Sequence, residues 1–404
     1  MNQPPKWIPE GLAKRSSKVA NKGAKNNSFI KRIGAIKCVI VQIYAALVFG
    51  VNRFYLIYSN RPLIILSYIY NLSVVILVLF NMYRSETMSA AHFVFKYTLC
   101  FEYLVIVLTS LLVSKSKLVK FFRDLNKFDS VLNISKDLNK VDAGYACFFW
   151  VFGCLVYSLI EYTLMNMFLS MFLDDTVYSF YVMMLTHDYE QIMFFILLRN
   201  IYLRLRILKE HVSKMFSVET RVINNKNGYK QARKLEALSN NSRLDITTLH
   251  QVYDLLHKCA GRLNSAMSLS MTIILLTAGL STTMLLKMMV KVIQTVTFGR
   301  SVILYLFNRS MKYTVLVVVS CYYSSITSTQ VTAIRTILHD AIHSFPMDKI
   351  ERRKVKAFFH LTKENEFAYA LGGVIRLNMS LPLSYMSLCT TYLVISIQFS
   401  KFFD

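Results

Sequence analysis

Residues 63–82 read LIILSYIYNLSVVILVLFNM, a stretch without a single charged side chain. A transmembrane helix needs roughly 20 consecutive apolar residues, so this stretch predicts one membrane span. The rest of the chain has the same character: 54% of its 404 residues are hydrophobic, and the mean hydropathy is +0.39. Soluble domains rarely hold so much apolar sequence over this length. The sequence therefore predicts an all-α protein embedded in a membrane.

Six further stretches have the length and apolarity of a span, which makes seven in all. They are residues 92–113, 146–169, 181–205, 265–290, 313–334 and 378–400. An eighth candidate, residues 38–58, is apolar but contains Gln42, Asn52 and Arg53. Whether this segment crosses the membrane decides the orientation of every later segment.

Lysine and arginine are concentrated in alternate connections between the spans, and such excess marks the cytoplasmic side. If residues 38–58 do not cross, the N-terminal segment and the basic connections 114–144, 206–264 and 335–377 are all internal. The external connection 291–312 carries four basic residues, fewer than any internal segment. We therefore expect a cytoplasmic N-terminus, an extracellular C-terminus, and an amphipathic or half-buried internal helix near 38–58.

The formal net charge of +24 would suggest a nucleic-acid partner in a soluble protein. Here the basic residues lie between apolar runs, where they orient a membrane protein, so no nucleic-acid partner is predicted. We also find no constellation of residues typical of a catalytic site or of a metal site, and no cofactor motif. The sequence therefore does not predict an enzyme.

The predicted organisation has four parts. They are a cytoplasmic segment 1–61, spans one to six within 62–343, a cytoplasmic helix within 344–377, and the last span within 378–404. Residues 118–129 and 244–263 have apolar side chains at helical spacing, which predicts cytoplasmic helix extensions that form a shared anchor region. The alternative is amphipathic helices that lie against lipid headgroups.

The last span contains the nonapeptide TYLVISIQF at 391–399. Its Thr391, Tyr392, Gln398 and Phe399 match the C-terminal signature of insect gustatory receptors, which this chain resembles. Upstream, FAYALGGVIRLN at 367–378 resembles a second conserved run of that family. The resemblance is specific over about forty C-terminal residues, and length, span number and orientation agree with it elsewhere.

The resemblance implies a ligand-gated, non-selective cation channel in the plasma membrane of sensory neurons, on dendrite, axon and cell body. It implies homo- or hetero-tetramers with other gustatory receptor subunits, embedded in lipid, that bind a small-molecule tastant and conduct cations. An insect odorant receptor is the nearest alternative. A secondary transporter is the alternative from another class, although the sequence shows none of the internal repeats expected of one. The expected internal N-terminus opposes a G-protein-coupled receptor.

The last span carries a polar stripe. At 100° per residue, four small polar residues of this helix fall within about 40° of Gln398. They are Ser380, Ser384, Ser387 and Thr391. Val394 and Ile395 lie about 40–60° away and would narrow a pore by expelling water. The predicted pore lining comprises Ser384, Ser387, Thr391, Val394, Ile395 and Gln398. The alternative is a seam of small residues that allows close helix packing.

Gly372 and Gly373 separate a predicted internal helix, residues 348–371, from the last span. Glycine disfavours the helix interior by about 1 kcal/mol, so the pair predicts a break, either a gating hinge or a simple turn.

Ionisable and aromatic residues inside the spans predict a second site, because such groups usually face partners or water. The candidates for the wall of a ligand cavity are Lys96, Glu102, Glu161, Tyr162, His187, Tyr189 and Glu190. Nearly all are expected in the outer half of the membrane. The alternative is a buried lysine–glutamate pair that holds spans together.

The orientation predicts the behaviour of epitope tags. On intact cells, antibodies should stain a C-terminal tag and should reach an N-terminal tag only after permeabilisation, because the basic connections stay inside. A C-terminally tagged protein with a known external C-terminus is the control. Staining of the N-terminal tag on intact cells would contradict the span count and the internal placement of residues 38–58.

Overall fold

The computed structural model of this protein describes residues 39–57, 60–84, 90–132, 143–169, 177–223, 245–295, 300–344 and 347–403. These ranges form ten α-helices: α1 Ile40–Val48, α2 Arg61–Arg84, α3 Ala90–Leu112, α4 Ser114–Val131, α5 Ala143–Leu169, α6 Val177–Ile223, α7 Ile246–Thr295, α8 Arg300–Ser344, α9 Lys349–Glu364 and α10 Ser380–Phe403. Two short antiparallel strands, β1 Ala370–Leu371 and β2 Ile375–Arg376, connect α9 to α10. The prediction of an all-α protein is confirmed.

All seven predicted spans coincide with helices, namely α2, α3, α5, α6, α7, α8 and α10. Helices α6, α7 and α8 contain 47, 50 and 45 residues, which corresponds to roughly 70 Å each at 1.5 Å per residue. A bilayer core is about 30 Å thick, so each of these helices extends well beyond it. The helical pattern predicted for residues 244–263 is accordingly the first part of α7 rather than a separate element.

Helix α2 exposes apolar side chains and buries polar ones, as expected of a helix that faces lipid. Leu66, Leu72 and Phe80 are each about 60% exposed, whereas Ser67 and Asn71 are buried. Length and apolarity alone qualify α2 and residues 246–290 of α7 as spans, together with a pair of helices, 96–112 and 114–131, bent by 58°. Several of the other long helices carry charged side chains within their apolar stretches, and these charges are buried against neighbouring helices.

Helix α6 is the centre of the fold. Nearly every residue from 179 to 198 is buried, because α1, α2, α3, α5, α7 and α8 all pack around this helix. A helix that is covered on all sides can keep polar residues only where its neighbours supply partners. The polar residues of α6 therefore fix the positions of the surrounding helices.

The helix extensions that were predicted to be cytoplasmic pack against one another. Helix α4 lies along the first half of α7, and α9 packs against α7 and the end of α8. Arg204 of α6 holds Asp129 of α4 by two parallel bonds, Nε to Oδ1 at 2.8 Å and Nη2 to Oδ2 at 2.7 Å. Arg262 of α7 pairs with Asp124 of α4. Two ion pairs thus tie α4 to both long helices.

Two predicted helices have different bounds in the structure. The helix expected near 38–58 is only α1, followed by a 3-10 turn at Phe54–Leu56, because Gly50 adopts a φ of 83° that ends the helix. The sixth span, expected to begin at residue 313, begins at Arg300 with α8. Arg309 and Lys312, which were assigned to an external loop, are therefore buried helical residues.

The connection from α9 to α10 is a hairpin rather than a bent helix. The predicted internal helix ends at Glu364, and Gly372 and Gly373 form the hairpin turn with φ of 58° and 76°. The Gly372 amide donates to Ser268 Oγ of α7 at 2.7 Å, and Ser324 Oγ of α8 donates to the Leu377 carbonyl at 2.6 Å. The hairpin is thereby clamped to both long helices.

The turn geometry predicts that Gly372→Ala destabilises the protein. A left-handed residue with a side chain costs about 1–2 kcal/mol, and the new Cβ would meet Thr272 Oγ1 at 3.3 Å. The midpoint of thermal unfolding in detergent should fall. Gly153→Ala in α5 is the control, because its Cβ would meet nothing within 4 Å and alanine favours helix by up to about 1 kcal/mol. Equal midpoints for the two variants would contradict the hairpin turn.

Candidate functional site

Five consecutive polar residues, HDYEQ at 187–191, lie in the first third of α6. All five are at least 97% buried. Successive residues of a helix point about 100° apart, so the five side chains reach different neighbouring helices. This segment is the point at which five other elements of the fold are joined.

The Asp188 side of the segment forms a four-charge cluster, which we call the ion network and define as Glu161, Asp188, Arg309 and Lys312. Arg309 Nη1 lies 3.1 Å from Glu161 Oε1 and 3.0 Å from Asp188 Oδ2. Lys312 Nζ lies 2.9 Å from Glu161 Oε2 and 2.5 Å from Asp188 Oδ2. The two anions and two cations balance, and they join α5, α6 and α8.

Aromatic and hydroxyl groups complete the ion network. Arg309 Nη2 donates to the Tyr313 hydroxyl at 2.9 Å, and its guanidinium carbon lies 4.4 Å from the centre of that ring. Lys312 Nζ also donates to Ser158 Oγ of α5 at 3.2 Å. Burying an ion costs several kcal/mol, and the cost is offset only by close pairing and further hydrogen bonds. The surroundings of the ion network provide both for most of its atoms, and Asp188 Oδ1 and Arg309 Nε are the buried exceptions among the described residues.

Glu190 anchors the segment that precedes the first span. Arg53 Nη2 lies 2.6 Å from Glu190 Oε1, and Ser270 Oγ of α7 donates to the same oxygen at 3.3 Å. Gln42 Nε2 of α1 donates to the Tyr189 carbonyl at 2.7 Å. The Tyr189 ring stacks on Phe49 with centroids 5.3 Å apart. Of the polar residues noted in 38–58, Gln42 and Arg53 are thus buried contacts to α6, whereas the buried Asn52 donates to Ser67 Oγ of α2 at 3.0 Å.

His187 links the segment to α3 and α7. Its Nδ1 pairs with Glu102 of α3, and Thr277 Oγ1 of α7 donates to the other oxygen of Glu102 at 2.6 Å. Its Nε2 lies 3.1 Å from the amide nitrogen of Gln191. The edge of its ring meets Tyr313, with centroids 4.8 Å apart. His187 therefore connects the Glu102 pair to the aromatic residue that covers the ion network.

The structure brings most of the predicted cavity residues to one level of the helical core. Glu102, Glu161 and Glu190 each accept from cationic or hydroxyl groups, so their oxygens hold helices together. Tyr162 is half-buried, and its ring lies 4.9 Å from that of Tyr181. Lys96 is buried with its Nζ 6.0 Å from the Tyr97 ring. Glu102 pairs with His187 and accepts from Thr277. A buried lysine–glutamate pair of the kind that the sequence suggested joins Lys312 of α8 to Glu161 of α5.

Sequence reasoning missed the cations of this site. Arg53 was treated as a mark against burial, and Arg309 and Lys312 were read as loop residues. A signal was present, because four carboxylates within predicted spans need compensating charge. The spacing of Arg309, Lys312 and Tyr313 at i, i+3 and i+4 also places them on one helix face.

The last helix contacts the rest of the chain along a narrow seam. Pro382, Tyr385 and Cys389 are buried, and the Cys389 thiol lies 3.9 Å from the Gly279 carbonyl of α7. The predicted pore residues are all exposed, namely Ser384, Ser387, Thr391, Val394, Ile395 and Gln398. At 100° per residue, the seam lies about 140–200° from Gln398. The polar stripe thus faces directly away from its own chain.

The C-terminal signature also contains Tyr392 and Phe399. The structure describes the side chain of Tyr392 but only the backbone of Phe399. The Tyr392 ring is 57% exposed, so within this chain it does not pack into the core. The side chain of Phe399 lies outside the described side chains, although its backbone belongs to α10.

The ion network predicts a large loss of stability for Arg309→Met. Two buried carboxylates would share one lysine, and breaking a buried pair from one side costs about 3–5 kcal/mol. The double variant Glu161→Gln/Lys312→Met removes one charge of each sign and should lose less. Arg206→Met, in an exposed pair with Glu210, should cost no more than about 1 kcal/mol. Surface expression and thermal unfolding in detergent are the measurements, and equal effects of Arg309→Met and Arg206→Met would contradict the assignment.

Comparisons with known proteins agree with this architecture. The family profile described as 7tm Chemosensory receptor matches residues 40–403. The structure of the olfactory receptor OR5 from Machilis hrabei in complex with eugenol superposes with a TM-score of 0.64 at 13% identity, covering 91% of this chain and 99% of that one. The structure of the same receptor described without eugenol gives 0.60 at 12% identity, with 93% and 99% covered. Comparison with curated protein sequences yields no match. The chain is a multi-pass helical membrane protein and belongs to the 7tm chemosensory receptor family.

Proposed function

We propose that this protein is a gustatory receptor subunit that acts as a ligand-gated, non-selective cation channel. In this proposal it detects a small-molecule tastant at the plasma membrane of sensory neurons. The observation that carries the proposal is the polar stripe of α10, which lies opposite the seam that holds the helix to its own chain. A helix that turns its polar side outward, away from its own subunit, needs water or another chain to cover it.

Four copies of the chain around one axis would place four polar stripes around a water-filled path. Gln398 offers a carbonyl oxygen to a passing cation without the desolvation demand of a full charge. Val394 and Ile395 lie beside the stripe and are exposed in the single chain. Their branched side chains would expel water when the ring is narrow and admit it when the ring widens. Tyr392, also exposed, would pack against a neighbouring subunit.

The tastant site in this proposal borders the HDYEQ segment of α6. Its wall comprises the residues predicted from the sequence: Lys96, Glu102, Glu161, Tyr162, His187, Tyr189 and Glu190. The glutamates are engaged in ion pairs and hydrogen bonds, so they favour a rigid wall over direct recognition of a charged ligand. The ion network balances its own charges, which supports a neutral small molecule.

A mechanical route leads from the HDYEQ segment of α6 to the pore helix. Ser270 and Thr277 of α7 bond to Glu190 and Glu102 respectively. Two residues further along α7, the Gly279 carbonyl contacts α10. The hairpin that begins the last segment is clamped to Ser268 of the same helix. A ligand that displaces α6 relative to α7 would therefore move both ends of the connection to the pore, which is a physical route for coupling.

An odorant receptor channel is the second candidate, because the superposed solved structures are olfactory receptors. The amino-acid sequence of residues 391–399 matches the gustatory receptor signature and therefore favours a gustatory receptor over an odorant receptor. A panel of sugars, bitter compounds, carbon dioxide and volatile odorants, tested for evoked current in a heterologous cell, separates the two. Responses to volatiles alone would assign the chain to the odorant branch.

The pore assignment predicts opposite effects of two substitutions at one position. Gln398→Lys should suppress agonist-evoked cation current, because each subunit adds one like charge to the path. Gln398→Glu, which has nearly the same size, should preserve or raise that current. Single-channel conductance in excised patches without nucleotides is the measurement, with surface expression matched between the variants.

Three results would contradict the proposal in different ways. Equal conductance for the two variants would show that α10 does not line the path with this face. A response that always requires GTP would exclude direct gating. A current that exists only while an ion-coupled substrate flux runs would indicate a transporter.

A further inference from the structure

Two histidines lie one turn apart near the end of α8, in the segment HDAIH at 339–343. We call His339 and His343 the histidine pair. Residues four apart on a helix project from the same face, so the two imidazoles are neighbours. Their ring centres lie 4.6 Å apart, with the ring planes at 49°. Neither the ion network nor the predicted pore lining uses the histidine pair.

The histidine pair has nitrogen atoms available for a ligand. The His339 side chain is 58% exposed, and His343 is also exposed in the single chain. In the part of the chain that the structure describes, no hydrogen bond engages His339 Nε2 or either nitrogen of His343. A neutral imidazole offers a lone pair to a metal, and two histidines four residues apart on one helix are an arrangement with which proteins chelate Zn²⁺.

The geometry of the histidine pair suits one shared metal ion. Zn²⁺ binds imidazole nitrogen at about 2.0–2.1 Å in tetrahedral sites, which sets two such nitrogens roughly 3.3 Å apart. The 4.6 Å between the ring centres is compatible with that spacing, because the nitrogens lie on the perimeters of the rings. Phe359 of α9 covers one side, with its ring centre 6.0 Å from that of His339. This contact restricts the rotamers of His339 and lowers the entropy cost of binding an ion.

The local charge favours a cation at this place. Asp340 Oδ1 lies 3.6 Å from His339 Nδ1, and a carboxylate on that side orients an imidazole so that its Nε2 faces the metal. His343 belongs to the last turn of α8, where the helix dipole amounts to about half a negative charge. Lys356 and Lys363 of α9 are exposed, so water and salt screen their repulsion of an ion.

The type of ligand selects the metal. Mg²⁺ and Ca²⁺ prefer oxygen ligands, whereas imidazole suits Zn²⁺, Cu²⁺ and Ni²⁺. The end of α8 is predicted to be cytoplasmic, and in that reducing compartment copper is present as Cu(I), which prefers sulfur ligands. Within the described residues, no group of three or more His, Cys, Asp or Glu could hold a metal ion. The histidine pair would therefore supply two ligands, with water in the other two positions.

We propose that His339 and His343 form a Zn²⁺-binding site that fixes the last turn of α8. Both ligands lie on one helix of one chain, so the site requires no other polypeptide. A neighbouring copy that approached this face could supply a donor in place of a water molecule. Helix α9 follows α8 in the chain and leads to the hairpin before α10, so the bound ion would restrain the start of the segment that carries the last helix.

The test is metal binding to the full-length chain in detergent, purified in reducing buffer with a tag that contains no histidine. Titration with Zn²⁺ in competition with a chromophoric chelator should give one ion per chain. His343→Asn should weaken binding about tenfold or more, because loss of even an outer-shell partner costs about 10–100-fold. His343→Cys should retain most of the affinity, since thiolate is also a zinc ligand. The matched control, His360→Asn, removes an exposed histidine of α9 and should leave binding unchanged.

A second variant tests the spacing of the histidines rather than their number. His343→Asn/Ser344→His moves the second imidazole by about 100° around the helix, and it should bind as weakly as His343→Asn. Zn²⁺ should raise the midpoint of thermal unfolding of the unmodified chain but not that of His343→Asn. Equal affinity of the unmodified chain, His343→Asn and the shifted variant would overturn the proposal, as would an equal loss in His360→Asn. No agonist or current enters this test, so its failure would leave the channel proposal standing.

Discussion

Buried carboxylates on α5 and α6 impose the constraint on which the rest of this fold depends. Glu161 and Asp188 lie in a helical core as thick as a bilayer, where an unpaired charge costs several kcal/mol. Arg309 and Lys312 of α8 are the groups that make the arrangement stable. Lipid gives helices no hydrophobic reason to associate, so specific polar contacts of this kind determine which helices are neighbours.

The same constraint connects the core to the last helix, α10. Residues next to Asp188 hold α1, α3 and α7, and α7 in turn carries the seam and the hairpin that position α10. Helix α10 itself makes few packing contacts with its own chain. Among the described residues of its first half, only Pro382, Tyr385 and Cys389 are buried. The polar contacts around Asp188 fix the centre of the fold, whereas few contacts hold α10. This combination would allow α10 to move without disrupting the core.

The sequence was sufficient for the features that depend on local pattern. Seven spans followed from apolar runs, and α4 and the start of α7 followed from apolar residues at helical spacing. The sequence did not show which side chains pair in the folded protein. Arg309 and Lys312 were assigned to a loop, because charged residues usually mark a membrane boundary. Only the positions of Glu161 and Asp188 explain why these two cations are buried. Gly372 was compatible with a hinge or a turn, since glycine permits both. The structure places it in a hairpin turn whose amide donates to Ser268, a tertiary contact that the sequence pattern could not show.

The ion network has a consequence for how the protein is made. Asp188 enters the membrane with α6, but Arg309 is synthesised about 120 residues later. Protein synthesis proceeds at about 5–20 residues per second, so Arg309 is made roughly 6–24 s after Asp188. The carboxylate lacks this cation during that interval. During that interval α5 and α6 are poor occupants of lipid, and assistance from the insertion machinery or its chaperones would be needed to retain them. Membrane insertion is then a step at which the burial of Asp188 is not yet compensated by its cations.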